Sequence, residues 1–241
     1  MSGHSKWATI RRKKGALDAK RGKIFTRMIR EITIAARQGG GDPAGNPRLR
    51  LAIDNAKAVN MPADNIDRAI KKATGELEGS QITELMYEGY GPGGVAILVE
   101  VATDNKNRTV AEIRHIFGKH NGNMGETGSV AWMFERKGMI TVKRDGKSED
   151  EMMEIILDAG ADDLSTEEDF FEVTTALENF EPVRKKLVEK KLTVENASLQ
   201  WIAKNSTPVK GDEAEKLMKL IEAIEESDDV QNVFSNADFA D

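Results

Sequence analysis

Six of the first fourteen residues have the chemistry to hold a polyanion. Lys6, Arg11, Arg12, Lys13 and Lys14 supply cations, and Trp7 supplies a flat aromatic ring. Cations that pair with phosphates release condensed counterions, which gives affinity without sequence information. An aromatic ring inside such an arm can stack on an unpaired base. The basic run continues through Lys20, Arg21, Lys23, Arg27, Arg30 and Arg37. Lys20, Lys23, Arg27, Arg30 and Arg37 recur at helical spacing, as do the apolar residues Leu17, Ile24, Phe25, Met28, Ile29, Ile32 and Ala36. At about 100° per residue the two sets centre on opposite sides of one helix. The spacing therefore predicts a helix over 17–38 that packs by one face and presents five cations on the other. Lys6, Trp7, Arg11, Arg12, Lys13, Lys14, Lys20, Arg21, Lys23, Arg27 and Arg30 are the candidate nucleic-acid-binding residues.

Other residues with chemical potential read as structural. His4 lies in the arm, and His115 and His120 have no Asp/Ser arrangement to make them a base, so they read as surface histidines. Gly89, Gly91, Gly93 and Gly94 in YEGYGPGG loosely mimic a phosphate loop, but Gly-Pro-Gly-Gly between two strands is a hairpin turn. Asp104, Asn105 and Asn107 lack the further carboxylates of a calcium loop, and Asn107 reads as a helix cap. Lys106 and Arg108 open that helix, where phosphate is attracted, and form a candidate second nucleic-acid contact. Asp162, Asp163, Glu167, Glu168 and Asp169 read as a solvated acidic loop. No catalytic constellation, metal site or cofactor motif emerges, and a small-molecule substrate is not expected.

The charge pattern sets these residues apart from the rest of the chain. Residues 1–72 carry 17 Lys and Arg against 6 Asp and Glu, a net of +11, while the other 169 carry 18 against 35, a net of −17. The whole-chain net of −6 hides a basic third, the electrostatic footprint of a polyanion-binding surface. The 241 residues hold no cysteine, which excludes disulfides and Cys-ligated metals. No apolar run approaches the roughly 18 residues that span a bilayer, so no membrane partner is expected. The Arg/Lys-rich start also has the composition of a mitochondrial presequence, but an aromatic-basic arm continuous with a folded helix argues against one.

The elements that must position the cations follow from breakers and periodicity. GGGDPAGNP (39–47) ends the first helix, Pro47 opens a second to residue 59, and Pro62 opens a third that Gly75 ends. GELEGSQ (75–81) is a linker. Strands are expected at 86–90, 95–103, 129–135, 137–144, 170–176 and 192–202, with helices at 108–120, from Ser148, at 180–191 and, capped by Asp212, at 213–226. A strand at 230–235 closes the chain. The fold class is α+β and multidomain: a basic three-helix domain (1–76), an α+β domain made of 77–135 and 206–241, and a second α+β domain (136–205) inserted in it, both with a ferredoxin-like layout.

GHSKW (3–7), DAKRGKIFT (18–26), GGGDP (39–43), NPRLR (46–50), YEGYGPGG (87–94) and DNKNRTVAEIRH (104–115) resemble the YebC family over essentially the whole length. That family comprises bacterial transcriptional regulators and includes the mitochondrial translational activator of cytochrome oxidase subunit I. The resemblance implies three domains, the third inserted in the second. It implies a non-enzymatic regulator that binds DNA or, alternatively, a ribosome-associated translation factor that binds rRNA or tRNA and relieves stalled translation. GHSKW begins at residue 3, which points to a bacterial cytoplasmic protein, and a monomer is expected. The third helix offers Asn65, Asp67, Arg68, Lys71 and Lys72, which make no convincing base-reading set. Backbone or shape recognition is therefore expected.

Overall fold

A computed structural model describes residues 19–79 and 81–239, with side chains from Gly22 onward. Residues 135–202 form one compact unit, and the chain on either side of them forms the other.

The larger unit begins with three helices: α1 (Ala19–Gly39), α2 (Pro47–Ala58) and α3 (Ala63–Thr74). The apolar stripe of α1 meets the other two helices in a core of Ile32, Ala35, Ala36, Leu49, Ala52, Ile53, Ala56, Met61, Ile66 and Ala69. Ile24, expected in that stripe, is exposed. Asn46 sets the α1–α2 corner. Its carbonyl oxygen accepts from Leu49 N at 3.1 Å and caps α2, while its amide donates to Ala35 O and Gly40 O at 2.8 and 2.9 Å. A Cβ on Gly39 would meet the Asn46 amide at 2.7 Å, so the close approach requires glycine there.

The same unit continues into a four-stranded sheet in the order β3-β1-β2-β9. Its strands are β1 (Thr83–Tyr90), β2 (Ala96–Thr103), β3 (Asn123–Met124) and β9 (Val230–Ser235), and every pairing is antiparallel. GPGG does turn the chain between β1 and β2, as a short 3₁₀ segment with Gly93 and Gly94 at φ +73° and +72°. Two helices, α4 (Lys106–Lys119) and α7 (Gly211–Glu225), cover one face of this sheet. Val95, Ile97, Val99, Val101, Ile113, Phe117, Leu217, Leu220, Ile221 and Ile224 form the core between them. The last helix and strand thus complete the sheet that β1 and β2 begin. A small parallel pair, β8 (Thr207–Val209) with β10 (Ala237–Phe239), is added to the expected elements.

The smaller unit is a second sheet, in the order β5-β6-β4-β7. Along the chain it reads β4 (Phe134–Lys143), α5 (Glu149–Ala159), β5 (Asp163–Thr166), β6 (Phe170–Thr175), α6 (Phe180–Glu189) and β7 (Val194–Ala203). This βαββαβ order with those neighbours is the ferredoxin-like layout. Ile140, Val142, Met152, Ile156, Phe171, Val173, Val183 and Leu187 are among its buried side chains.

Several local expectations change. The strand expected at 129–135 is a 3₁₀ turn over Ala131–Met133, and the next strand already starts at Phe134. The acidic loop contains the edge strand β5, whose Asp163 and Ser165 alternate with Leu164 and Thr166. Asn105, rather than Asn107, caps α4, accepting from Arg108 N at 3.0 Å. No side-chain cap is present on α7, and Asp212 lies inside its first turn. Just after β7, Lys204 N donates to Met133 O at 2.9 Å, within the larger unit.

Candidate nucleic-acid interface

Lys20 and Arg21 lie at the start of α1. Their side chains, together with Lys6, Trp7, Arg11, Arg12, Lys13 and Lys14, lie outside the described residues. The remaining cations of α1 are placed in detail.

Lys23, Arg27 and Arg30 are half-buried rather than fully outward, and Arg37 is exposed. Lys23 Nζ donates to Glu226 O at 2.7 Å, and Arg27 Nη2 to Glu225 O at 2.5 Å. Arg30 donates to Asp228 O and holds the Asp229 carboxylate at 2.8 Å. Arg37 donates to Ile82 O at 3.3 Å. The stripe runs 23, 27, 30, 34, 37 at alternating steps of four and three, and Ile34 in its middle is 4% exposed. This face of α1 docks on the rest of its unit, where α7 ends, β9 begins and β1 begins. The expected outward presentation is corrected for Lys23, Arg27 and Arg30, whereas Arg37 stays exposed.

The physical reason lies in the acceptors. The last turn of α7 has no basic residue, and Glu225, Glu226, Asp228 and Asp229 crowd its end. The C-terminus of a helix carries partial negative charge and unpaired carbonyls. Acidic side chains there are unfavourable unless cations arrive from elsewhere, and α1 supplies three. Apolar periodicity shows that these cations face away from the α2–α3 core. It does not show whether they meet water or another element. The acid-rich end of α7 and the apolar Ile34 inside a cationic stripe are the signals that distinguish the two.

Asp229 is the centre of the contact. It is 3% exposed. It accepts from Thr109 Oγ1 at 2.6 Å, Arg108 Nη2 at 2.8 Å and Thr103 Oγ1 at 3.0 Å, in addition to Arg30. Burial pushes its carboxyl up, but bonds from Arg108, Thr109 and Thr103, and the charge of Arg30, outweigh that and hold it below the ordinary aspartate value. Arg108 also pairs with Asp104 at 3.0 Å. Arg108 and Lys106 are both exposed, and the charge of Arg108 is shared with two carboxylates.

A second cluster joins the helices to β1. Arg48 meets Glu31 at 2.8 Å and Glu84 at 2.6 Å, and Gln38 bridges to both Arg48 and Glu84. On α3, Asp67, Arg68, Lys71 and Lys72 are all exposed. His115 and His120 line an open groove of about 530 Å³ between α4 and α7, with Glu112, Lys119, Lys219 and Glu222. Among the described residues no group of His, Cys, Asp and Glu could hold a metal. No described helix is long and apolar enough to cross a membrane.

Comparison with known proteins places this architecture. A family model described as the TACO1/YebC protein N-terminal domain matches residues 5–76, and one described as the TACO1/YebC second and third domain matches residues 82–237. The chain belongs to the TACO1/YebC family. Its relatives include proteins named "Probable transcriptional regulatory protein" from Chlorobium phaeobacteroides and Chlorobaculum tepidum. They are 58% and 57% identical over 242 residues, covering 100% of this chain and 97% and 96% of theirs. The crystal structure of a conserved hypothetical protein from Aquifex aeolicus is similar in fold, with a TM-score of 0.88 and 46% identity over 93% of each chain. The docked stripe of α1 thus joins the stretch matched by the N-terminal-domain model to the stretch matched by the second-and-third-domain model.

Proposed function

We propose that this chain is a non-enzymatic nucleic-acid-binding regulator that acts on DNA in transcription. The observation that carries the reading is the concentration of charge: a net of +11 over residues 1–72 against −17 over the rest. With Lys23, Arg27 and Arg30 bonded internally, the grip falls on seven cations, Lys6, Arg11, Arg12, Lys13, Lys14, Lys20 and Arg21, with Trp7 among them. The names borne by the relatives, as transcriptional regulators, support the same reading. On α3 the exposed Asp67 would repel a DNA backbone, so recognition rests on phosphates and duplex shape. In this reading the protein works in the cytoplasm as a monomer, in three domains, with no cofactor or small-molecule substrate.

The test is an anisotropy titration of a labelled DNA duplex between 50 and 200 mM salt. Seven phosphate contacts give a log–log slope of about −6 and lower affinity by about 10³–10⁴-fold across that range. A flat salt dependence overturns the reading. Co-sedimentation with ribosomes, combined with no salt-dependent duplex binding, would move the same cations to rRNA or tRNA and the role to translation.

A further inference from the structure

One side chain outside the basic third of the sequence is presented in an unusual way. Trp132 is 63% exposed, although tryptophan is ordinarily among the more buried residues. It stands on the 3₁₀ turn Ala131–Met133. Its indole Nε1 donates to Ser129 O at 3.1 Å, so the one polar atom of the ring is satisfied internally.

The turn beneath it is held rigidly. Glu88, 3% exposed, accepts from the backbone N–H groups of Gly128, Val130 and Ala131 at 2.6, 2.7 and 2.8 Å. Burial raises that carboxyl, but the three backbone donors outweigh it and hold the group below the ordinary glutamate value. Tyr90 OH donates to the same Ser129 O at 3.1 Å. Lys204 Nζ donates to Trp132 O at 2.9 Å, and Lys204 N to Met133 O. A buried carboxylate, a tyrosine and a lysine thus fix a loop whose exposed feature is an aromatic ring.

We infer that Trp132 is a preorganised stacking platform for an unpaired nucleobase, with Lys204 supplying the adjacent cation. The inference rests on the nucleic-acid reading above and names the state of the ligand it takes there: single-stranded or looped. A fixed ring loses little conformational entropy on stacking, and any base offers it a π-face. The other large exposed apolar side chains, Ile24, Leu77, Leu157, Leu177 and Val188, belong to other elements. A protein interface needs some 20–30 residues a side, whereas a base needs one ring. The acidic α+β part of the chain disfavours a long phosphate track and suits a single stacked base.

The experiment uses the full chain and two probes, a ten-residue oligothymidylate and a duplex of mixed sequence. Trp132→Ala should weaken the single strand roughly tenfold and leave the duplex unchanged. Trp132→Phe should restore most of the single-strand affinity. Photocrosslinking of a bromouracil-substituted strand should mark residue 132. Unchanged single-strand affinity in Trp132→Ala, with binding still abolished by Lys13→Glu/Lys14→Glu, overturns the platform and leaves the reading intact. No salt-dependent binding of either probe by the wild type overturns both. Loss of a co-purifying protein in Trp132→Ala, with oligonucleotide affinity unchanged, also overturns the inference and assigns the ring to a protein partner.

Discussion

The basic third of this chain holds two sets of cations with similar composition and different partners. Lys23, Arg27 and Arg30 bond the carbonyls of Glu226, Glu225 and Asp228 and the Asp229 carboxylate within the same unit. In our reading Lys6, Arg11, Arg12, Lys13, Lys14, Lys20 and Arg21 meet phosphates. The contrast teaches that net charge measures what a segment could bind, and that internal acceptors decide how much of it is offered outward. A helix terminus crowded with Glu225, Glu226, Asp228 and Asp229 is as good a partner for three cations as a nucleic acid, and it is covalently present.

The comparison breaks hardest at Asp229. Replacing Asp229 with Ala leaves Arg30 without its carboxylate and Arg108 with Asp104 alone, and removes an acceptor from the Thr103 and Thr109 hydroxyls. Removing one partner of a buried charged network costs about 3–5 kcal/mol. Thermal and urea unfolding should show that loss, with the salt slope for DNA unchanged. A double-mutant cycle with Arg30→Ala should return a coupling energy of about 1 kcal/mol or more. If Asp229→Ala melts like the wild type, the docking contact is not what holds α1.

The opposite pattern is expected at the arm. Lys13→Glu/Lys14→Glu/Lys20→Glu should lower duplex affinity by at least about 10²-fold and flatten the log–log salt slope by about 3. The melting temperature should stay within about 2 °C of the wild type, since surface changes shift stability by less than about 0.5 kcal/mol. A large drop in stability would place these cations with the docked set.

Acid should separate the sets next. Asp229 and Glu88 are held below their unfolded values of 3.8 and 4.5. A carboxylate with a depressed folded pKa contributes stability that is complete above its unfolded value and is lost as pH falls through the folded one. Melting temperature should therefore be level from pH 7 to about 5 and fall below about 4, and Asp229→Asn should flatten part of that fall. Smallest of all, Lys23→Ala or Arg27→Ala should each cost about 0.3–1 kcal/mol in urea unfolding, as a lost cation at a helix C-terminus.

Much of the scaffold was legible in the residues. Pro47, Gly75 and Ser148 mark helix ends where the structure has them, because caps act locally through φ and unpaired backbone groups. The strands expected at 86–90, 95–103 and 129–135 have one helix and need another helix and an edge strand, and the last helix and the strand at 230–235 supply them. Asp163–Thr166 reads as loop in sequence because acidic residues flank a four-residue edge strand whose identity comes from pairing with Phe171–Thr174. Trp132 falls inside a strand pattern in sequence for a related reason: the bonds that hold its turn come from Glu88 and Lys204, some 40 and 70 residues away.

For the cations, the division is similar. The sequence alone determined how many there are, that they cluster before residue 73, and that those of α1 lie opposite its apolar stripe. Composition and helical periodicity are properties of neighbours along the chain. The tertiary structure alone decided that Lys23, Arg27 and Arg30 meet Glu225, Glu226, Asp228 and Asp229, roughly 200 residues away in sequence. An amphipathic pattern specifies which face avoids the core. Whether that face meets water or a helix end depends on where the chain returns.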